Sequence, residues 1–421
     1  MPPRPCLKYF AVVTLLLSGL LSLPALASLS LEEAETLATK NDPLLLQLEA
    51  ESRLLMEQSV ADNQWPDPRL KMALIGMPTD SYDLDQENMT QQQVGFQQMI
   101  PRGDSLEIKQ NKTRSKAEIK DRKVDLERLA ILRDVRLAYI DIVFQKLAHE
   151  TVLKSKKFLS QFVEIAQFRY SSGKEKKQRI LEASLAHSRM DDRLLKITDK
   201  EKIARAKLAK WIGRKSAFGE IPAVFPEFDD LPNQEAILNN LQNHPAILLA
   251  DSKIKTSQFG VKLAEEKYKP AWMTDLTYGY RRDNKMGVER SNLLSVMVSL
   301  DIPLFTKNRQ DRIYKSRTIG VEAAQHERDD KLRMLQSELE MSTVNLDLVK
   351  KRLKLFTFKL IPEAVTYTQT TLAGYQSGVT DINGVIRAHL TELKVRLDKL
   401  KLQHAELSTQ TKLLFLIGEK K

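Results

Sequence analysis

The sequence predicts a mainly α protein that also contributes strands to a membrane β-barrel. Three observations carry that prediction. The chain repeats itself once over nearly its whole length. Each copy holds helical stretches far longer than a globular domain needs. Each copy also holds two strand-like segments, while no stretch after residue 27 is apolar over the ~18 residues of a membrane-crossing helix.

The N-terminus sets the compartment. Arg4 and Lys8 form a basic region, Tyr9 to Leu23 is an apolar run, and Pro24-Ala25-Leu26-Ala27 ends in a small-residue cleavage pattern. Residues 1–27 are therefore expected to be a secretory signal peptide. The single cysteine, Cys6, falls within it, which excludes a disulfide framework and a cysteine zinc site from the mature chain. The net charge of +11 falls to +9 when Arg4 and Lys8 leave. A basic excess often points to nucleic acid, but an exported protein rarely meets it, so the excess is assigned to solvated helix faces and no nucleic-acid partner is expected.

The duplication is read from ordered matches. Glu33-Ala34 matches Glu235-Ala236, Asn41-Asp42-Pro43 matches Asn243-His244-Pro245, Pro68 matches Pro270, and Ile100-Pro101 matches Ile302-Pro303, all 202 apart. Further on the offset is 205: Tyr170-x-Ser172-Gly173 matches Tyr375-x-Ser377-Gly378, and Ile212-Gly213 matches Ile417-Gly418. The second copy thus carries three extra residues between positions 303 and 375. The expected units are a first repeat over 28–213, a linker over 214–230 with Pro222, Pro226 and Asp229-Asp230, and a second repeat over 231–421.

Within each repeat a short helix precedes Asn-x-Pro, and Pro43 or Pro245 opens the next helix, where a missing N–H costs nothing. Strands are expected at 68–77 and 91–100, then at 271–280 and 292–302. In the last, Leu294, Val296, Val298, Leu300 and Ile302 point one way and Ser295, Met297, Ser299 and Asp301 the other. Trp272, Leu276, Tyr278 and Tyr280 share a face of the third. The first two alternate poorly and are read as strands through their copies. Long helices are expected over 103–170, 175–213, 305–374 and 380–417. The first would span about 100 Å. Leu132, Val135, Tyr139 and Ile142, and later Leu390, Leu393, Leu397, Leu400, His404 and Leu407, follow the alternating three-and-four spacing of a coiled-coil seam.

Four strands cannot close a barrel, and open edges are not tolerated in lipid. Copies of the chain must share one barrel. Two would give eight strands and an interior filled by side chains, whereas three would give twelve and room for a pore, so a homotrimer embedded in outer-membrane lipid is expected.

These features resemble the TolC family of outer-membrane efflux proteins over the whole mature chain. The resemblance rests on the order, twice over, of the Asn-x-Pro segments, the turn motifs and the Ile-Gly ends. The turn motifs are Tyr170-Ser171-Ser172-Gly173 followed by Ile180-Leu181-Glu182-Ala183, and Tyr375-Gln376-Ser377-Gly378 followed by Val385-Ile386-Arg387-Ala388. Ile100-Pro101-Arg102-Gly103-Asp104, with the acidic Met-containing loop before it, is most similar to the heavy-metal (CzcC/CusC-like) branch. The resemblance implies a trimeric 12-stranded barrel in the cell outer membrane and an α-helical tunnel in the periplasm. It also implies a periplasmic adaptor protein docked at the tip and an inner-membrane pump of the RND type. The tip and gate residues it implies are Tyr170, Gly173, Arg179, Glu182, Tyr375, Gly378, Asp381, Gly384 and Arg387. At Gly384 and Arg387 the chain departs from the acidic positions of the family. An Arg387 ring facing the pore would repel cations, so either Arg387 pairs with Glu182, which occupies the equivalent position in the other copy, or the cargo is not a free cation.

No catalytic constellation is visible. None of His149, His187, His244, His326, His389 and His404 forms a close ligand pair, and no phosphate-binding glycine motif is present. His187 and Asp191 read as a surface pair, His404 as a polar residue that sets the seam's register, and Met72, Met77, Met89 and Met99 as ordinary packing. No cofactor or metal site is expected and the chain is not expected to be an enzyme. The expected function is a passive exit duct for heavy-metal cations or drugs. The alternatives are a duct for type I protein secretion and a periplasmic coiled-coil scaffold without a barrel.

Overall fold

The computed structural model describes residues 28–40, 42–174 and 176–418. The expected signal peptide lies outside the described residues. The chain runs α1 (Leu31–Lys40), α2 (Pro43–Asp62), β1 (Arg69–Ile75), β2 (Gln91–Ile100), α3 (Ser105–Ser171), α4 (Lys177–Ile212) and a one-turn α5 (Arg214–Ala217). The plan then recurs with α6 (Gln234–Asn240), α7 (Pro245–Glu265), β3 (Ala271–Tyr280), β4 (Leu293–Asp301), α8 (Gln310–Leu355), α9 (Ile361–Gln376) and α10 (Ile382–Ile417). Among the described residues no helix is long and apolar enough to cross a membrane.

The two helices that follow Asn-x-Pro begin at the proline and are capped by the residue before it. Asp42 Oδ1 accepts from the N–H groups of Leu44 and Leu45. In the second copy the cap is a histidine: His244 Nδ1 accepts from Ala246 N–H at 3.2 Å, while Nε2–H donates to the Phe415 carbonyl at 3.0 Å. That pair of bonds requires the neutral ring. Burial favours the same form, holding the His244 pKa below its ordinary value.

The four strands form one antiparallel sheet in the order β1-β2-β3-β4, leaving β1 and β4 as edges. β1 is shorter than the expected 68–77. It stops at Ile75 because Gly76 turns the chain with φ +65°, and a Cβ there would lie 2.8 Å from the Met89 carbonyl oxygen. β4 likewise covers 293–301 rather than 292–302.

The corner between sheet and helix is built by Ile100-Pro101-Arg102-Gly103-Asp104. Arg102 bonds Asp301 at 3.2 Å and the Lys267 carbonyl at 3.1 Å, and Asp104 N–H donates to Glu266 Oε2 at 3.0 Å. Gly103 sits at φ +41° with Glu266 so close that a Cβ would meet its carboxylate at 2.1 Å. Both the backbone angle and the close approach require glycine.

The corresponding corner in the second copy is longer, and it locates the three extra residues. β2 and β4 start 202 apart, at Gln91 and Leu293, whereas α3 and α8 start 205 apart, at Ser105 and Gln310. The insertion is the strand-to-helix connection 302–309. It corrects the expected helix over 305–374: Arg309 and Asp311 donate backbone bonds to the Thr306 carbonyl, and the helix begins only at Gln310. That helix is also not continuous. Phe356–Leu360 is a π turn, because Pro362 offers no N–H and its ring displaces the carbonyl of Phe358. The helices expected over 175–213 and 380–417 start two residues later, at Lys177 and Ile382, after the turns.

The expected linker over 214–230 is not a loose one. Ala217 and Ile221 are fully buried against α1, α3 and α4. Arg205 donates to the carbonyls of Ala217 and Gly219, both at 2.9 Å, and Leu29 N–H donates to the Glu220 carbonyl at 2.8 Å. The buried side chains and the satisfied backbone make this segment part of the core.

Three cores hold the helices. One lies where α1, α2 and α4 pack on Ile131, Val135, Tyr139 and Ile142 of α3. Its counterpart joins α6 and α7 to Leu335 and Leu339 of α8 and Leu413 and Leu416 of α10. The third fills the far end of the molecule, where α3, α4, α9 and α10 converge. The seam of α10 is held by Leu393 and Leu397, and His404 Nε2 meets Asp141 of α3 at 2.5 Å, a polar contact fixing the two helices in register.

Candidate functional site

The sheet, with its two unpaired edges, and the far helical tip hold the residues that the sequence singles out. In the sheet, register sorts the side chains. Met72, Val94, Tyr278 and Leu294 lie side by side across the four strands, and Leu70, Phe96, Leu276 and Val296 form the neighbouring row. All of these are exposed in the protomer. The opposite face carries Lys71, Gln97, Asp275, Thr277, Ser295 and Ser299. Asp275 is buried there, paired with Lys71 and accepting bonds from Gln97 at 3.3 Å and Thr277 at 2.7 Å. One apolar face and one polar, charge-paired face are what lipid outside and water inside demand of a barrel wall.

At the tip both turns close the same way. After α3, Gly173 adopts φ +71° and Lys174 N–H donates to the Arg169 carbonyl at 2.8 Å. After α9, Gly378 adopts φ +81° and Val379 N–H donates to the Gly374 carbonyl at 2.8 Å. These are left-handed helix caps. Among the described residues nothing lies within 4 Å of a Cβ built on Gly173 or Gly378, so the backbone angle is what selects glycine there.

The remaining tip residues divide. Tyr170 is exposed, but its copy Tyr375 is buried, 6.2 Å from the Phe162 ring and under the Arg169 guanidinium at 5.3 Å. Asp381 caps α10 by accepting from Gly384 N–H at 2.8 Å. Gly384 is buried, with Thr380 and Asp381 atoms 3.3 Å from the place of a Cβ.

Arg179 joins the two hairpins. It pairs with Glu182 at 3.1 Å and with Asp381 of the other turn at 2.8 Å. Glu182 is further bonded by Asn383, also from the other turn, and by Gln178 at 2.9 Å. The Asn383 bond leads the causes that hold the Glu182 carboxyl below its ordinary pKa, with Gln178 and Arg179 adding to it.

The expected pair between Arg387 and Glu182 is therefore corrected. Glu182 is engaged by Arg179 and Asn383, while Arg387 is exposed and forms no ion pair among the described residues of one protomer. Asn383 was missed because its role depends on the crossing of two hairpins. The cap at Asp381, three residues before a glycine N–H, follows an N-cap spacing that sequence reading can find.

His187 lies 4.0 Å from Asp191 as a surface contact. His389 is stacked on Phe158 at 3.9 Å and bonded to Ser155 at 2.9 Å; burial leads the causes that lower its pKa. No group of three or more His, Cys, Asp or Glu among the described residues could hold a metal ion.

Comparison with known proteins agrees with this architecture. Residues 236–419 match the sequence model of the family described as outer membrane efflux protein. No curated protein matches the chain by sequence. Among solved structures, the outer-membrane channel OprN superposes with a TM-score of 0.78 at 11% identity, over 93% of this chain and 90% of its own. The outer membrane protein VceC of Vibrio cholerae gives 0.76 at 16% identity, covering 92% and 96%. CusC, described in terms of folding and transmembrane channel formation, gives 0.76 at 13% identity, covering 94% and 93%.

Proposed function

We propose, from the match of residues 236–419 to the outer membrane efflux protein family, that the chain belongs to that family and that three copies form the exit duct of a tripartite efflux system. The observation that carries this reading is the four-stranded sheet with two unpaired edges, apolar on one face and polar on the other. Pairing β1 of one copy with β4 of the next would close twelve strands and leave no edge in lipid. The helices, about 100 Å long for α3, would extend the duct into the periplasm. The sheet also argues against the scaffold alternative, which needs no membrane strands.

The duct would be passive, driven by an inner-membrane pump through a periplasmic adaptor. The proposed cargo is a heavy-metal cation or a drug, in keeping with the likeness of the Ile100–Asp104 corner to the heavy-metal branch. The adaptor would dock on the open turns at Gly173 and Gly378. Replacing Val296 with Arg at the lipid face should cost insertion about 2–4 kcal/mol per site. Trimer counts in the outer-membrane fraction test this, and undiminished trimer in the variant would overturn the face assignment. Bulky substitutions at Gly173 and Gly378 should abolish efflux with trimers intact. A panel of metals and drugs applied to the gene deletion would identify the cargo.

A further inference from the structure

Just below the sheet-to-helix corners, α3, α7 and α8 border a half-open cavity of about 200 Å³ lined by Lys112, Thr256, Ser257, Gly260, Ser316 and Arg317, the last two exposed at its mouth. All of these belong to one protomer. Lys112 and Arg317 each stand seven residues into their helix, about 10 Å from the corner. Both reach over Gly260. A Cβ built there would lie 3.6 Å from Lys112 Nζ and 3.7 Å from Arg317 Cδ, so the missing side chain is what leaves the space open.

The charges are unbalanced. Neither Lys112 nor Arg317 has an ion-pair partner among the described residues of the protomer, and Lys116 lies one turn along α3. The nearby acids are occupied: Glu118 by Lys255 at 2.9 Å, and Asp62 by Lys109 at 3.0 Å and by Thr113 at 2.6 Å. Like charge brought together without a carboxylate is unfavourable unless an anion joins it. Burial, then Arg317 and Lys116, accordingly pull the Lys112 pKa below its ordinary value.

We infer that this cavity binds one phosphate-class oxyanion per chain, held between Lys112 and Arg317 with the hydroxyls of Ser257 and Ser316 as further donors. An ammonium, a guanidinium fork and short hydroxyls around a glycine floor suit a tetrahedral oxyanion. With the sheet as a barrel wall, a site about 10 Å beyond the sheet-to-helix corner would lie beside the membrane surface, where basic pockets take lipid phosphates. A free phosphate-like anion offers the same oxygens. The lining lies within one protomer; only the lipid source rests on the proposed reading of the sheet as a barrel wall.

The mature protein in neutral detergent can be titrated with inorganic phosphate by calorimetry. In parallel, micelles doped with phosphatidylglycerol can be scored by native mass spectrometry for retained lipid. Binding of phosphate assigns a free anion, and retention of lipid alone assigns a headgroup. A Lys112→Gln/Arg317→Gln double variant should weaken whichever probe binds by about 10- to 100-fold, the value of the lost charged hydrogen bonds. Gly260→Asp puts a carboxylate into the cradle and should displace the anion to the same extent while raising the melting temperature. It adds a Cβ to a helix interior with no atom nearer than 3.6 Å, so it should fold. If the wild type binds neither probe, or if both variants bind as tightly as the wild type, the site is overturned.

Discussion

The two tip turns share a motif and a backbone path, yet they hold their helices differently. The second turn is anchored: Tyr375 is buried in the tip core and Asp381 caps the helix that follows. The first turn is open: Tyr170 is exposed and α4 starts at Lys177, where the N-cap residue Lys176 makes no side-chain cap bond. Its polar ties to the second turn include those of Arg179 and Glu182, which reach across to Asp381 and Asn383, above the apolar core that both hairpins share. A duplicated sequence has therefore become one fixed hairpin and one that leans on it.

The sharpest break of this comparison is at the two tyrosines. Tyr375→Ala empties a buried site and should destabilise the tip by about 3–5 kcal/mol. Tyr170→Ala, at an exposed position, should stay within about 0.5 kcal/mol. Thermal melts of the two variants in detergent, followed by circular dichroism, would show the contrast. Equal losses would mean the two turns are equally anchored. Tyr375→Phe refines the point. The Tyr375 hydroxyl is buried and has no hydrogen-bond partner among the described residues, so removing it should be neutral or slightly stabilising in the same melts.

The next effect is smaller. Asp381→Ala removes a cap worth about 1 kcal/mol together with the tie to Arg179. Asp381→Asn keeps an acceptor for Gly384 N–H but gives up the charge. Comparing the two melts separates cap from ion pair, with Asn expected to recover most of the loss.

Much of this was readable beforehand, and the gaps have physical causes. The α3 seam at Leu132, Val135, Tyr139 and Ile142 was legible because its spacing reports one buried face directly, and all four are buried. β4 was legible because Leu294, Val296, Val298 and Leu300 alternate with Ser295, Ser299 and Asp301. β1 and β2 were not, because Ala73, Ile75 and Met99 put apolar side chains on the polar face. Only pairing with β3 shows that Leu70, Met72, Val94 and Phe96 belong with Val296. The segment around Ile221 read as a linker because one buried isoleucine among prolines makes no period. At the tip the sequence ranked side chains by charge and chose Arg387, one helical turn beyond Asn383. Which of the two meets Glu182 is set by how the hairpins cross, and no local pattern encodes that.

The smallest effect concerns the bridge itself. Arg179 and Asp381 are partly exposed, so their coupling is worth only about 0–1 kcal/mol. Small as it is, it joins the open hairpin to the fixed one, and in a trimer it would act three times. Single-channel conductance in a bilayer should rise or become noisier for Arg179→Asp and for Asp381→Arg, and return toward wild type in the double swap. Identical traces would show that the bridge does not hold the tip. Acidity gives an independent handle. The hydrogen bonds from Asn383, Gln178 and Arg179 lower the folded-state pKa of Glu182, so its contribution is complete above the ordinary carboxylate pKa of about 4.3 and is lost as pH falls through the lower folded value. Conductance of the wild type should then be unchanged between about pH 7 and pH 5, where Glu182 stays ionised, and rise only in stronger acid. Glu182→Gln, which cannot ionise, should remove that acid-induced rise. A wild-type response already present near pH 6 would place the titrating group elsewhere.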